Sequence, residues 1–348
     1  MLIPLRLKNY KVLVIEILFI PLKKLNMKVI ITGVAGFIGS NLAKHLLSQN
    51  IKIIGIDNLS FGYMRNIKYL LKSTNFRFIN ADIRNENTFR GIRGEVLIHL
   101  ASMKIPRYTN SLRTLEDNLA MVKNVVSYCI KHRCKLVMTS TSDVYGKNKQ
   151  LPYSENSDLM LGPTTVKRWA YAVSKIYAEH YIQANAEANG LIYSIARLFG
   201  SYGPNQNLTW WGGPQSVFIQ NILENNVLEI HGDGKQTRTF TFVDDTVSGL
   251  IFLIMDNRTN NQIYNIAGFP DEEIKIIDLA KLINSLIRGA NSKLNYKLIS
   301  YKNFGNYEDV LRRVPDINKI SALGFSPRIS LKEGMLRTID WQKSLLKK

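Results

Sequence analysis

Cysteine is nearly absent from this 348-residue chain: Cys129 and Cys134 are the only two. They cannot form a disulfide framework, so a reducing cytoplasm is the simplest compartment. Histidine is also scarce, with five scattered residues and no Cys-x-x-Cys pair, so no zinc site is legible. Ten prolines against 22 glycines and 45% apolar residues exclude collagen, disordered scaffolds and disulfide-stapled mini-proteins. A long hydrophobic run is missing too. The apolar stretch from Val12 to Ile20 is broken by Glu16 and falls short of the about 20 residues that span a bilayer. No small-x-small cleavage site follows it. Residues 1–26 are therefore expected to be an upstream start or a loosely attached extension, and no membrane is expected as a partner.

What is present in excess is positive charge. Lys+Arg 46 against Asp+Glu 27 gives a formal net charge of +19. The cations are spread along the chain and no basic run is interleaved with aromatics. A basic surface serving anionic small ligands is the economical reading, and no nucleic acid is expected.

From Met27 onward, short β-branched runs alternate with longer amphipathic stretches. Residues 29–32, 51–56, 76–80, 96–100, 136–139 and 192–196 read as buried strands, and 111–131 and 165–189 as helices. Such alternation predicts an α/β fold, a doubly wound parallel sheet of Rossmann type with a smaller mixed α/β lobe. The division expected is an extension at 1–26, a nucleotide-binding domain at 27–200 completed by 239–268, and a substrate lobe from 201–238 and 269–348. A further strand is expected near 294–300. The Trp210-Trp211-Gly212-Gly213-Pro214 stretch reads as a binding loop.

Gly33-Val34-Ala35-Gly36-Phe37-Ile38-Gly39 joins the first strand to the first helix. Glycines there let backbone amides approach a pyrophosphate at a helix N-terminus, although an ordinary tight turn would look the same. Asp57 ends the second strand, where a carboxylate accepts from an adenosine ribose and repels a 2′-phosphate, which favours NAD over NADP. Asp82-Ile83 follows the third strand and can meet an adenine amine or cap a helix. Tyr171 and Lys175 stand four residues apart on one helix face, where an ammonium is expected to lower the phenol's pKa. Thr141-Ser142-Asp143 follows a strand, placing hydroxyls and a carboxylate where open α/β sheets bind ligands.

Together these motifs, with His99-Leu100-Ala101-Ser102, Tyr202-Gly203-Pro204, His231 to Arg238, Val243-Asp244-Asp245 and Arg313-Val314-Pro315-Asp316, resemble the extended short-chain dehydrogenase/reductase superfamily. The likeness is to its nucleotide-sugar epimerases and dehydratases and covers about residues 27–343. It implies Thr141, Tyr171 and Lys175 as catalytic residues. It also implies NAD held by Gly33, Gly36, Phe37, Ile38, Gly39, Asp57, Asn58, Asp82, Ile83, Leu100, Ala101, Tyr171 and Lys175. The substrate, a nucleoside-diphosphate sugar expected to be UDP-linked, would lie on Thr141, Ser142, Asp143, Arg238 and Arg313. Arg238 and Arg313 would take the diphosphate.

Departures from the family pattern bear on the reaction. Dehydratases carry Thr-Asp-Glu, whereas this chain has Thr141-Ser142-Asp143, which disfavours dehydration. Uronic-acid decarboxylases have Thr-Ser-Glu and a basic residue where Val314 stands. Gly200 replaces an asparagine common in the family, so a substrate contact must come from elsewhere, with the Trp210-Trp211 loop as a candidate. A 4-epimerase is the first expectation, a UDP-glucuronate decarboxylase or 4,6-dehydratase the alternative, and an NAD-binding regulatory protein the non-enzymatic one. A cytoplasmic homodimer is expected, with Val122, Val125, Val126 and Ile130 as an apolar stripe available to the second copy.

Overall fold

The computed structural model describes residues 27–104, 111–305 and 307–346, so the expectation for 1–26 lies outside the described residues. Six strands follow in chain order: β1 (Lys28–Thr32), β2 (Lys52–Asp57), β3 (Phe76–Asn80), β4 (Val96–His99), β5 (Lys135–Thr141) and β6 (Tyr193–Leu198). Three short two-stranded sheets stand beside them. They pair β7 (Ser201–Tyr202) with β10 (Thr241–Phe242), β8 (Leu228–His231) with β13 (Tyr296–Ile299), and β9 (Thr237–Arg238) with β12 (Ile274–Lys275). With β11 (Gln262–Ile266), the six strands build a seven-stranded sheet of order β11-β6-β5-β4-β1-β2-β3, parallel throughout. The order in which strands are added reverses between β1 and β4, and ligand crevices of open α/β sheets lie at that point, beyond the strands' carboxyl ends.

Period-two alternation distributes each strand between two buried faces. Val29 and Ile31 pack under α1 (Phe37–Ser48), while Ile30, Ile54 and Leu97 face the opposite layer. That second layer is α3 (Ser111–His132) and α4 (Trp169–Asn189). Single-turn helices α2 (Met64–Ile67) and α8 (Asn318–Ser321) lie between larger elements. The remaining helices are α5 (Pro214–Leu223), α6 (Val243–Met255), α7 (Ile276–Arg288) and α9 (Leu331–Leu346). Of these, α6 packs on α1, and α5 and α7 pack on one another.

Two expectations change. Val122, Val125 and Val126 are buried against the sheet of their own chain, with Ile130 half-buried beside them, so this stripe is core and is closed to a second copy. The fourth helix begins at Trp169 rather than 165, because the segment after Pro163 turns through tight three-residue hydrogen bonds, Val166 N to Pro163 O and Trp169 N to Val166 O. The two cysteines are free and buried.

Candidate active site

The glycine turn forms a floor for close approach. Gly33 adopts φ +75° and a Cβ there would stand 2.7 Å from the Ala101 amide nitrogen. A Cβ on Gly39 would collide with the Gly33 carbonyl oxygen. Gly36 caps α1 with no side chain, so the helix N-terminus opens onto the cleft, flanked by Phe37 and Ile38. The cleft comprises cavities of 430 and 240 Å³ that share Gly33, Gly36, Leu100, Ser102 and Trp211.

The smaller cavity holds the β2 carboxylate. Asp57 accepts from the Ala35 amide at 2.9 Å and the Leu59 amide at 2.8 Å. Burial raises its pKa against the pull of those amides. Asn58, Ile83 and Ala101 line this cavity with it. Asp82 lines the same cavity, and Asn85 rather than Asp82 caps the following 3-10 turn. The Asp82 carboxylate takes the Asn58 amide at 3.0 Å and the Arg84 guanidinium at 2.5 Å, and Arg84 holds it down at a pKa of about 2. This floor and carboxylate fit a dinucleotide whose ribose hydroxyls donate to Asp57. NAD should accordingly bind well ahead of NADP, and Asp57→Asn should weaken NAD by roughly tenfold, the worth of one charged hydrogen bond, as read by calorimetry.

The larger cavity carries the reactive groups. Thr141 ends β5 and its Oγ1 accepts from the Asp143 amide at 3.2 Å. Tyr171 and Lys175 line the same wall, but the electrostatics differ from expectation. Burial, then the charge of Asp143, push the Tyr171 phenol above its ordinary value, with a hydrogen bond from Ser102 pulling the other way. The Lys175 ammonium lies 5.9 Å from the Tyr171 ring centre and donates to the Thr139 carbonyl at 2.9 Å. Burial lowers Lys175 to about 8 against the upward pull of Glu179. A spacing of four residues brought the side chains to one face without aiming the ammonium at the phenol.

The same cavity is lined by a network of arginines and aspartates. Arg313 contacts Asp143 at 2.6 Å and Ser142 Oγ at 3.3 Å. Arg238 contacts Asp309 at 2.9 Å, and Arg168 contacts both Asp309 at 2.9 Å and Asp143 at 3.4 Å. Among the described residues, Arg313 Nε, Thr239 Oγ1 and Gln215 Oε1 are buried without a hydrogen-bond partner, and all three residues line this cavity. Orphaned polar groups of this kind mark where a polar ligand would supply bonds. Arg168, Asp309 and Glu179 were missed in the sequence, because isolated charges carry no period or motif.

The loop expected to bind does line the cavity. Trp210 stacks on His231 at 4.1 Å, and Trp211 stacks on Phe61 at 5.5 Å, bringing the loop across both cavities. Gly200 has a backbone reason for replacing a larger residue: φ is +46° and a Cβ would lie 2.7 Å from the Thr239 carbonyl oxygen.

Under this floor, His99 Nδ1 pairs with Thr32 Oγ1 at 2.8 Å. Burial, aided by the Lys175 charge, lowers the imidazole to about 3 from 6.5, so it is neutral in the fold. A depressed base contributes full stability above pH 6.5 and loses it as pH falls toward 3, because only the unfolded chain takes up the proton. His99→Gln should therefore show a shallower loss of stability across that interval in urea titrations at several pH values.

Among the described residues no cluster of His, Cys, Asp and Glu could hold a metal, and no helix is long and apolar enough to cross a membrane. Residues 29–267 match the model of the NAD dependent epimerase/dehydratase family. The chain is 32% identical to a UDP-N-acetyl-alpha-D-glucosaminuronate decarboxylase of Bacillus cytotoxicus, over 91% of this chain and 98% of that one. It is 32% identical to UDP-glucuronic acid decarboxylase 1 of Xenopus tropicalis, over 90% of this chain and 72% of that one. Its fold superposes on UDP-glucuronic acid 4-epimerase from Bacillus cereus, solved with UDP-glucuronic acid and NAD, with a TM-score of 0.81 and 27% identity, covering 92% of this chain and 100% of that one. A seven-stranded parallel sheet in this order, a glycine turn at its switch point and a family match across most of the chain make it a member of the NAD-dependent epimerase/dehydratase family, whose substrates are nucleotide sugars.

Proposed function

We propose that the chain decarboxylates a UDP-linked hexuronic acid after oxidation at C4. The observation that carries this reading is the arginine wall: among the described residues, the three guanidinium groups of Arg168, Arg238 and Arg313 form ion pairs with two carboxylates, Asp143 and Asp309, in one connected network, and Arg313 Nε has no hydrogen-bond partner. A surplus of guanidinium suits a substrate bearing a carboxylate besides its diphosphate. The wall is also cross-braced, which favours holding one sugar pose over turning a keto sugar between two. The decarboxylase relatives support the same order of preference.

In this reading Gly33, Gly36 and Gly39 admit the pyrophosphate of NAD, Asp57 takes the adenosine ribose, and Lys175 reaches the nicotinamide ribose. NAD, when bound, supplies the hydride acceptor at C4 and the donor that returns it. Tyr171, after giving up its own phenolic proton, takes the proton of the 4-hydroxyl as a phenolate while Thr141 holds that oxygen. The resulting β-keto acid breaks its C5–C6 bond, the electron pair passes to the C4 oxygen, carbon dioxide leaves, and C5 takes a proton. Arg238 and Arg313 hold the anionic end of the substrate.

Incubation with UDP-glucuronate and UDP-N-acetylglucosaminuronate should give a UDP-pentose that has lost the mass of carbon dioxide. A product of unchanged mass, inverted at C4 by NMR, would overturn decarboxylation in favour of the 4-epimerase, the second reading, which the likeness to the UDP-glucuronic acid 4-epimerase favours. For the homodimer, the apolar residues still exposed on α3 and α4 are Leu112, Val173 and Tyr177. Light scattering that reads a concentration-independent monomer would remove it.

A further inference from the structure

Arg168 immediately precedes α4, one turn before Tyr171, with its side chain only 7% exposed. Its NH1 donates to Asp309 at 2.9 Å, to the Glu308 carbonyl at 2.7 Å and to the Tyr307 hydroxyl at 3.3 Å. Its plane lies over the Trp169 ring at 4.9 Å. These protein acceptors fix the guanidinium, and its NH2 reaches Asp143 at 3.4 Å. Asp143 stands beside Thr141 with its carboxylate 24% exposed at the cavity wall, and its Oδ1 is shared by Arg168 at 3.4 Å and Arg313 at 2.6 Å. Arg238 and Tyr171 also feel its charge.

Two cations on one carboxylate restrict it far more than one does. With Arg313 alone, the side chain of Asp143 could follow that arginine's fork and draw it away from the substrate. Asp309 completes the brace, because it anchors Arg168 and Arg238 through the same oxygen and accepts the Tyr301 hydroxyl at 2.7 Å on the other.

We infer that Arg168 is a positioning residue, anchored by Asp309, that acts on the reaction through Asp143 by holding that carboxylate in place at the substrate wall. The inference rests on the proposed function only in taking this cavity as the reacting site.

A double-mutant cycle between Arg168→Met and Asp143→Asn tests it, with turnover read as conversion of UDP-hexuronate to any product. Arg168→Met should lower kcat by about 10–100-fold while calorimetric affinity for UDP-hexuronate stays within about threefold, the split expected of a group that does not touch substrate. In the Asp143→Asn background the same change should alter kcat by less than about twofold, since the partner through which it acts is gone. Arg168→Lys, which keeps the charge without the fork, should recover part of the loss. An undiminished effect in the Asp143→Asn background would overturn the inference, as would a lowered melting temperature with kcat intact. Wild-type protein that converts neither UDP-hexuronate would sink the proposed function instead. The binding arm would still judge Arg168, because an affinity loss beyond about tenfold would make it a direct substrate ligand.

Discussion

Tyr171→Phe should lower turnover of the UDP-sugar by about 10²–10⁴-fold, the usual scale for removing one positioned proton-transfer group. Tyr171 is 9% exposed and lines the same cavity as Arg313, so phenylalanine keeps the packing and deletes only the hydroxyl. Arg238 and Arg313 are untouched, and calorimetric affinity for UDP-hexuronate should remain within about threefold. The electrostatics sharpen the expectation. Burial and Asp143 hold the phenol above its ordinary value, so proton removal from substrate must become easier as pH rises. The residual activity of the phenylalanine variant should lose that rise, because the titrating group is gone. A variant that retained wild-type turnover, or a pH profile unchanged in shape, would show that another group takes the proton.

What the sequence disclosed follows from the range of the interactions concerned. The strands and the glycine turn are local: each short β-branched run, and the Gly33–Gly39 turn that follows β1, is complete within a few consecutive residues. That the sheet is parallel follows from strand-helix alternation, which does not fix the order of its strands. By contrast, Asp309 meets Arg168 across 141 residues and Glu179 meets Arg197 across 18, and nothing in a charged residue's neighbours marks it as buried. The α3 stripe shows a related limit. A helical period reveals that a face is apolar, but it cannot say whether a sheet or a second copy covers it, and here the sheet does. Tyr171 and Lys175 mark a third. Their spacing sets adjacency, whereas the Thr139 carbonyl decides where the ammonium points.

Arg197→Met should cost about 3–5 kcal/mol of stability, the range for stripping one partner from a buried ion pair. Arg197 and Glu179 are 4% and 3% exposed and meet in a two-pronged contact, Nε to Oε1 at 3.1 Å and NH2 to Oε2 at 2.7 Å. Without the guanidinium, the carboxylate would retain the Ser140 hydroxyl at 2.5 Å but no cationic partner in contact. Tyr145 would also lose its 3.1 Å bond from Arg197 and keep Asn265 at 2.7 Å. Replacing both charges, Arg197→Met with Glu179→Leu, removes the stranded anion and should return most of the stability, because apolar packing can substitute for a buried pair. Urea unfolding of the single and double variants reads this directly. Turnover should not return with stability. Glu179 stands one turn beyond Lys175 and pulls its pKa up against burial. With that carboxylate gone, the lysine must titrate below its value of about 8, so the ammonium is lost at lower pH. If the ammonium is the working form, the alkaline decline in turnover moves to lower pH in the stable double variant. A double variant whose loss of stability equals the sum of the two single losses would show that the two charges contribute independently, and an unmoved alkaline decline would disconnect Glu179 from Lys175.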